Sequence, residues 1–176
     1  MQGAYVFHPM TRDHLPMVRR WLRTPDVARW WGDPGAQFEL VRGDLDHPDM
    51  DQYIVATRGR PFGYIQCYRL GAWNCGFGAQ PPQTRGIDQF IGEPDLIGCR
   101  HGANFIRQFA DALLENTTPR VVTDPDPANQ RAIRAYEKAG FARDRIVDTP
   151  DGPALLMRRE TVRQCASLPP GRSEPS

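Results

Sequence analysis

The chain has 176 residues, 40% of them hydrophobic and 24% charged, with a formal net charge of +1. That length suits one compact core. The charge balance gives no general attraction to nucleic acid or to an anionic membrane, and no apolar run approaches the roughly 20 residues needed to cross a bilayer.

Met1 to Phe7 lacks the basic leader and apolar stretch of an export signal, so the expected location is the cytoplasm. Cys67, Cys75, Cys99 and Cys165 show no CxxC or Cys/His spacing, and neither a metal site nor a disulfide framework is expected of them.

Tyr5 to Met10 reads as an opening strand, followed by Thr11 and Asp13 as cap candidates for a helix carrying Leu15, Val18, Trp21 and Leu22. A second short helix fits Pro25 to Trp30. From Asp33 to Asp51 periodicity is lost and acids collect, which predicts a solvated, mobile segment with one short helix. Gln52 to Thr57 and Phe62 to Leu70 alternate as an antiparallel pair about Arg58-Gly59-Arg60. After a Gly/Pro-rich loop from Gly71 to Arg85, the apolar run Gly86 to Gly92 suits a buried strand in which Asp88 is the anomaly.

His101 to Glu115 is the clearest helix, with Phe105, Ile106, Phe109, Ala112 and Leu113 on one face. Arg120 to Thr123 is a short buried strand. Asp126-Pro127-Ala128-Asn129 opens another helix, with Pro127 in its first turn, and Gly140 closes it. Arg143 to Asp148 and Ala154 to Arg159 form a strand pair about Thr149-Pro150-Asp151-Gly152-Pro153. This order describes a mixed α/β layout around one sheet. Residues 1–160 are expected to form a single domain, and 161–176, rich in Pro, Ser and Arg, a disordered tail.

Two segments carry chemistry. Leu96-Ile97-Gly98-Cys99-Arg100-His101-Gly102-Ala103 is a glycine-bearing turn running into a helix, where unpaired backbone N–H groups can receive a pyrophosphate. By themselves two glycines more often mark a simple loop. The second segment runs from Thr123 to Phe141 and contains Asn129, Ala132, Tyr136 and the exit Gly140-Phe141. Taken alone, Tyr136 is a core aromatic and Asn129 a helix-start residue.

Together these segments resemble the cofactor-binding elements of the GNAT superfamily of N-acetyltransferases. Trp30-Trp31-Gly32, Gly63-Tyr64-Ile65-Gln66, Arg85-Gly86-Ile87-Asp88-Gln89, Thr123-Asp124-Pro125 and Thr149 to Ala154 resemble, in the same order, segments of the aminoglycoside 6'-N-acetyltransferases. The resemblance covers residues 5–159. It implies a mostly antiparallel central sheet flanked by helices, acetyl-CoA as cofactor, and a polyamine or aminoglycoside as the small-molecule partner; it leaves the oligomeric state open.

The resemblance also implies roles. Gly98, Cys99, Arg100, His101, Gly102, Ala103, Asn129 and Ala132 would hold the cofactor, and an N–H near Phe90 or Ile91 its thioester carbonyl. Tyr136 would act as general acid, and Asp88 would receive the amine's proton. Trp31, Asp88, Asp124 and Asp151 would line the acceptor pocket. Asp88 has a structural alternative, a pairing with Arg85, and Asp151 has one as a turn former. One departure stands out: Arg100 occupies a position where the family usually has glycine or alanine. An acyltransferase of siderophore assembly and a non-catalytic acyl-CoA-binding module are the competing readings.

Overall fold

The computed structural model describes residues 5–73 and 75–161. The expected tail from 162 onward, and with it Cys165, lies outside the described residues. Seven strands form one sheet: β1 (Tyr5–Pro9), β2 (Met50–Thr57), β3 (Arg60–Arg69), β4 (Arg85–Ile91), β5 (Arg120–Thr123), β6 (Ala142–Thr149) and β7 (Gly152–Glu160), in the order β1-β2-β3-β4-β5-β7-β6. Every pairing is antiparallel except β4 with β5.

Five helices cover the sheet: α1 (Leu15–Leu22), α2 (Pro25–Trp31), α3 (Pro34–Gly43), α4 (His101–Asn116) and α5 (Gln130–Lys138). Strand alternation sends Ile65, Cys67 and Ile87 to one face, where they pack against Phe105, Ile106 and Phe109 of α4 and Ile133 and Tyr136 of α5. Ile54, Tyr64 and Phe90 go to the other face, against Val18, Trp21 and Leu22 of α1 and Phe38 and Val41 of α3. The result is a helix–sheet–helix sandwich.

Two sequence expectations need correction. The segment from Asp33 to Asp51 is ordered: Asp33 caps α3 by accepting from the Ala36 amide at 2.8 Å, Pro34 occupies the first helical position, and Phe38 and Val41 anchor the helix in the core. Helix α5 starts at Gln130, not at Pro127. The Asp126 carboxylate takes the Ala128 amide at 2.7 Å and Asn129 takes the Ala132 amide at 3.1 Å, so two successive side-chain caps hold Pro127 in the preceding turn. At the β2–β3 hairpin, Arg58 and Gly59 both take positive φ (49° and 76°), the type I′ geometry that matches strand twist.

The feature that creates the site is the brevity of the parallel pairing. Only Arg85↔Val121 and Gly86↔Val122 pair between β4 and β5. Beyond them β4 continues to Ile91 while β5 ends at Thr123, leaving the edge of β4 open in mid-sheet.

Candidate active site

Two cavities meet at this open edge. One, of about 530 Å³, runs between α4, α5 and α2; the other, of about 440 Å³, lies between the ends of β4 and β5, α3, the β6–β7 turn and the loop preceding β4. Trp30, Trp31, Gln89, Asn129 and Ala132 line both. Their charges segregate. Among the described residues, the first is lined by Arg100, Arg107, Arg131, Arg134 and Lys138 against a single acid, Asp26. The second is lined by Asp44, Asp88, Asp124, Asp126 and Asp151 with no basic side chain among the described residues.

The first cavity suits a phosphorylated ligand. Gly98, Gly102 and Ala103 line it at the N-terminus of α4, where unpaired amides and the helix dipole favour anions. Gly98 adopts φ 79° and Arg100, the cap of α4, adopts φ 66°, a left-handed conformation that glycine takes without cost and a side chain does not. Arg100 therefore occupies a backbone slot suited to glycine and adds a cation to the groove. The side chains of Cys99 and His101 turn away: the Cys99 thiol lies against the Asp95 and Ile97 carbonyls, and His101 Nδ1 meets the Tyr5 hydroxyl at 2.8 Å. Neither residue lines the cavity.

The open edge offers donors. Gly92 N–H donates to the Phe62 carbonyl at 2.8 Å, and amides alternate along a strand, so the Phe90 amide also faces β3. The Ile91 and Gln89 amides face the gap. Of the two residues expected to hold a carbonyl oxygen, Ile91 has its N–H free for that purpose, whereas Phe90 is buried with its ring against Trp21, Trp31 and Tyr64.

In the acidic cavity, Asp88 shares a strand face with Phe90, while Arg85 projects to the opposite face with its nearest carboxylate, that of Asp51, at 4.0 Å. The alternative pairing of Asp88 with Arg85 is thereby removed. Asp88 instead accepts from Gln66 Nε2 at 2.9 Å, and Gln66 Oε1 accepts from the Tyr64 hydroxyl at 2.7 Å. Burial pushes the Asp88 carboxyl up, the Gln66 hydrogen bond opposes this, and Asp151 adds to it. Asp124 is pushed up by burial and then by the charges of Asp88 and Asp151. Asp151 itself is exposed on the turn, its backbone amide bonded to the Thr149 hydroxyl at 3.2 Å.

Tyr136 reaches this cavity from α5 on the far face, through the gap. It is 3% exposed and packs edge-on against Phe141. Burial raises its pKa, so the phenol keeps its proton at any working pH. Trp31 lines both cavities and stands edge-on to Phe90 at 5.0 Å. Sequence reasoning missed Gln66, the acids Asp44 and Asp126, and the groove cations of α5. Arg131, Arg134 and Lys138 recur at spacings of three and four, a helical-face signal that was present to be read.

Comparison with known proteins agrees with this geometry. Residues 10–149 match the acetyltransferase (GNAT) domain family. The chain is 35% identical over 158 residues to the aminoglycoside N(6')-acetyltransferase type 1 of Klebsiella pneumoniae, covering 84% of this chain and 79% of that protein. It superposes with a TM-score of 0.80 and 32% identity on an aminoglycoside acetyltransferase, AAC(6')-Ib, solved in complex with coenzyme A and kanamycin, over 89% of this chain and 95% of that one. A more distant relative, the N(6)-hydroxylysine O-acetyltransferase of Escherichia coli, is 27% identical over 144 residues, covering 74% of this chain and 44% of that protein. The chain belongs to the GNAT acetyltransferase family.

Proposed function

We propose that this protein transfers an acetyl group from acetyl-CoA to the 6'-amine of an aminoglycoside in the cytoplasm, where acetyl-CoA is at hand, and so confers resistance. One observation carries the reading: a cationic groove and an anionic cavity meet at a gap in the sheet. The groove matches a polyanionic cofactor and the cavity a polycationic acceptor. Five acids facing the acceptor are more than a small hydroxylamine substrate needs, which separates this reading from the siderophore alternative.

The residues present fit the cofactor. The α4 amides, Gly98, Gly102 and the basic side chains would hold its phosphates, and Asn129, whose Oδ1 caps α5, keeps its Nδ2 free for the pantetheine arm. When bound, acetyl-CoA supplies the acetyl group as an activated thioester. The Ile91 N–H can hold a carbonyl oxygen as it gains charge. Asp88 takes a proton from the substrate ammonium and frees the nitrogen lone pair, and the Tyr136 phenol holds a proton for the departing sulfur. Trp31, Asp124 and Asp151 orient the acceptor.

The test is a thiol-release assay with acetyl-CoA and a panel of amines. Turnover with kanamycin and tobramycin, absent with a small hydroxylamine, supports the reading; the reverse pattern favours the siderophore-type acceptor.

A further inference from the structure

We propose that Tyr64 and Gln66 are positioning residues that make Asp88, and not Asp124, the ionised carboxylate of the acceptor cavity, and hence the group that takes the proton from the incoming amine. The catalytic consequence rests on the acceptor being an amine, as proposed above; the ionisation order does not.

The orientation of Gln66 follows from its partners. Tyr64 is fully buried, and burial holds its phenol well above the ordinary tyrosine range, so it carries a proton. That proton goes to Gln66 Oε1. A glutamine side chain has one acceptor oxygen and one donor NH₂ group, so with the oxygen engaged only the donor is left for Asp88 Oδ2. Sheet register sets the row: Gln52 stands opposite Gln66 on β2, and Gln66 opposite Asp88 on β4. Gln52 in turn donates to the Val41 carbonyl at 3.0 Å, tying the row to α3.

A donor held in this way stabilises a carboxylate and not a carboxylic acid. Asp124 has no side-chain donor among the described residues; only its own backbone offsets burial. The other titratable groups lining the cavity with Asp88 are Asp44 at the end of α3, Asp124 and Asp126 beyond β5, Asp151 on the β6–β7 turn, Tyr136 from α5, Tyr68 on β3 and Cys75 from the loop, and none is cationic. Two carboxylates facing one cavity do not ionise equally, and the difference in donors sets the order. In the reaction, the ammonium N–H bond breaks with its electron pair left on nitrogen, and the O–H bond forms on Asp88.

The experiment is a carboxyl ¹³C NMR titration of the full chain labelled at aspartate Cγ, without ligand. The Asp88 and Asp124 signals are identified by their loss in Asp88→Asn and Asp124→Asn. In the wild type Asp88 titrates at lower pH than Asp124. Gln66→Met raises the Asp88 midpoint by roughly one pH unit, for loss of a hydrogen bond to a charged group; Tyr64→Phe raises it by less, because it frees the Gln66 amide to turn its oxygen toward Asp88; and the acid limb of kcat/KM for kanamycin moves up with each. Tyr64→Phe keeps the ring stacked on Phe90 and carries the test if Gln66→Met does not fold. Asp124 titrating first in the wild type, or an Asp88 midpoint unmoved in the folded variants, overturns the proposal. A shift in Gln66→Met without one in Tyr64→Phe removes the phenol from it. The expected titration in a protein that acetylates no amine leaves the ionisation order standing and defeats the functional reading instead.

Discussion

Asp88 on β4 and Asp124 just past the end of β5 face one cavity from the two strands that separate after Gly86 and Val122. Had the parallel ladder continued, the open edge, the Tyr136 hydroxyl and these carboxylates could not share a space. The short ladder gives up backbone hydrogen bonds to open the sheet, and the buried acids oppose folding as well.

That cost is measurable. Because burial and neighbouring carboxylates raise the Asp124 pKa, the folded protein binds a proton more tightly than the unfolded chain does. Stability therefore falls as pH rises from the ordinary carboxylate range through the folded pKa, and the penalty is complete above it. Asp124→Asn should melt about 3 °C or more above wild type at pH 9, on the order of 1 kcal/mol, with the gap closing toward pH 5. The same variant should raise KM for aminoglycosides and leave the KM for acetyl-CoA nearly unchanged. Thermal melts across pH, paired with kinetics, check both halves.

Arg100 separates backbone strain from charge. Arg100→Gly relieves the left-handed strain but removes a groove cation, whereas Arg100→Ala removes the cation and keeps the strain. The alanine variant should be less stable than the glycine variant by about 1 kcal/mol. Both should lose affinity for acetyl-CoA by a similar factor, and the salt dependence of that affinity should flatten. Calorimetry at two ionic strengths reads this out. Equal stability of the two variants would deny the strain.

Tyr136→Phe removes the proton donor and keeps the ring packed on Phe141. Turnover should fall by about a hundredfold or more, with the acetyl-CoA dissociation constant within about twofold of wild type. Activity within a few-fold of wild type would make Tyr136 a core residue only.

Much of this was legible in the chain because it is local. Alternation located β2 and β3, an apolar run located β4, the three- and four-residue spacing of Phe105, Ile106 and Phe109 located α4, and Asp88 stood out as a charge in that apolar run. What was not legible depends on distance in sequence. The gap between β4 and β5 is a pairing that stops, and no residue marks it. Asp44 reads as part of a solvated acidic segment and Asp126 as a helix start, and only the fold brings them to one cavity. Gln66 carried a weak signal, an amide among apolar strand residues, but its meaning required the register that sets it opposite Asp88. Helix α3 was obscured because its surrounding acids outweighed the Asp33-Pro34 start and the Phe38/Val41 spacing that mark it.

The central claim is acetyl transfer to a 6'-amine in the acidic cavity. Neomycin and paromomycin differ there alone, the first bearing a 6'-amine and the second a 6'-hydroxyl. Thiol release from acetyl-CoA should proceed with neomycin and be absent with paromomycin at equal concentration. Equal release with both, or release with neither, would contradict the assignment.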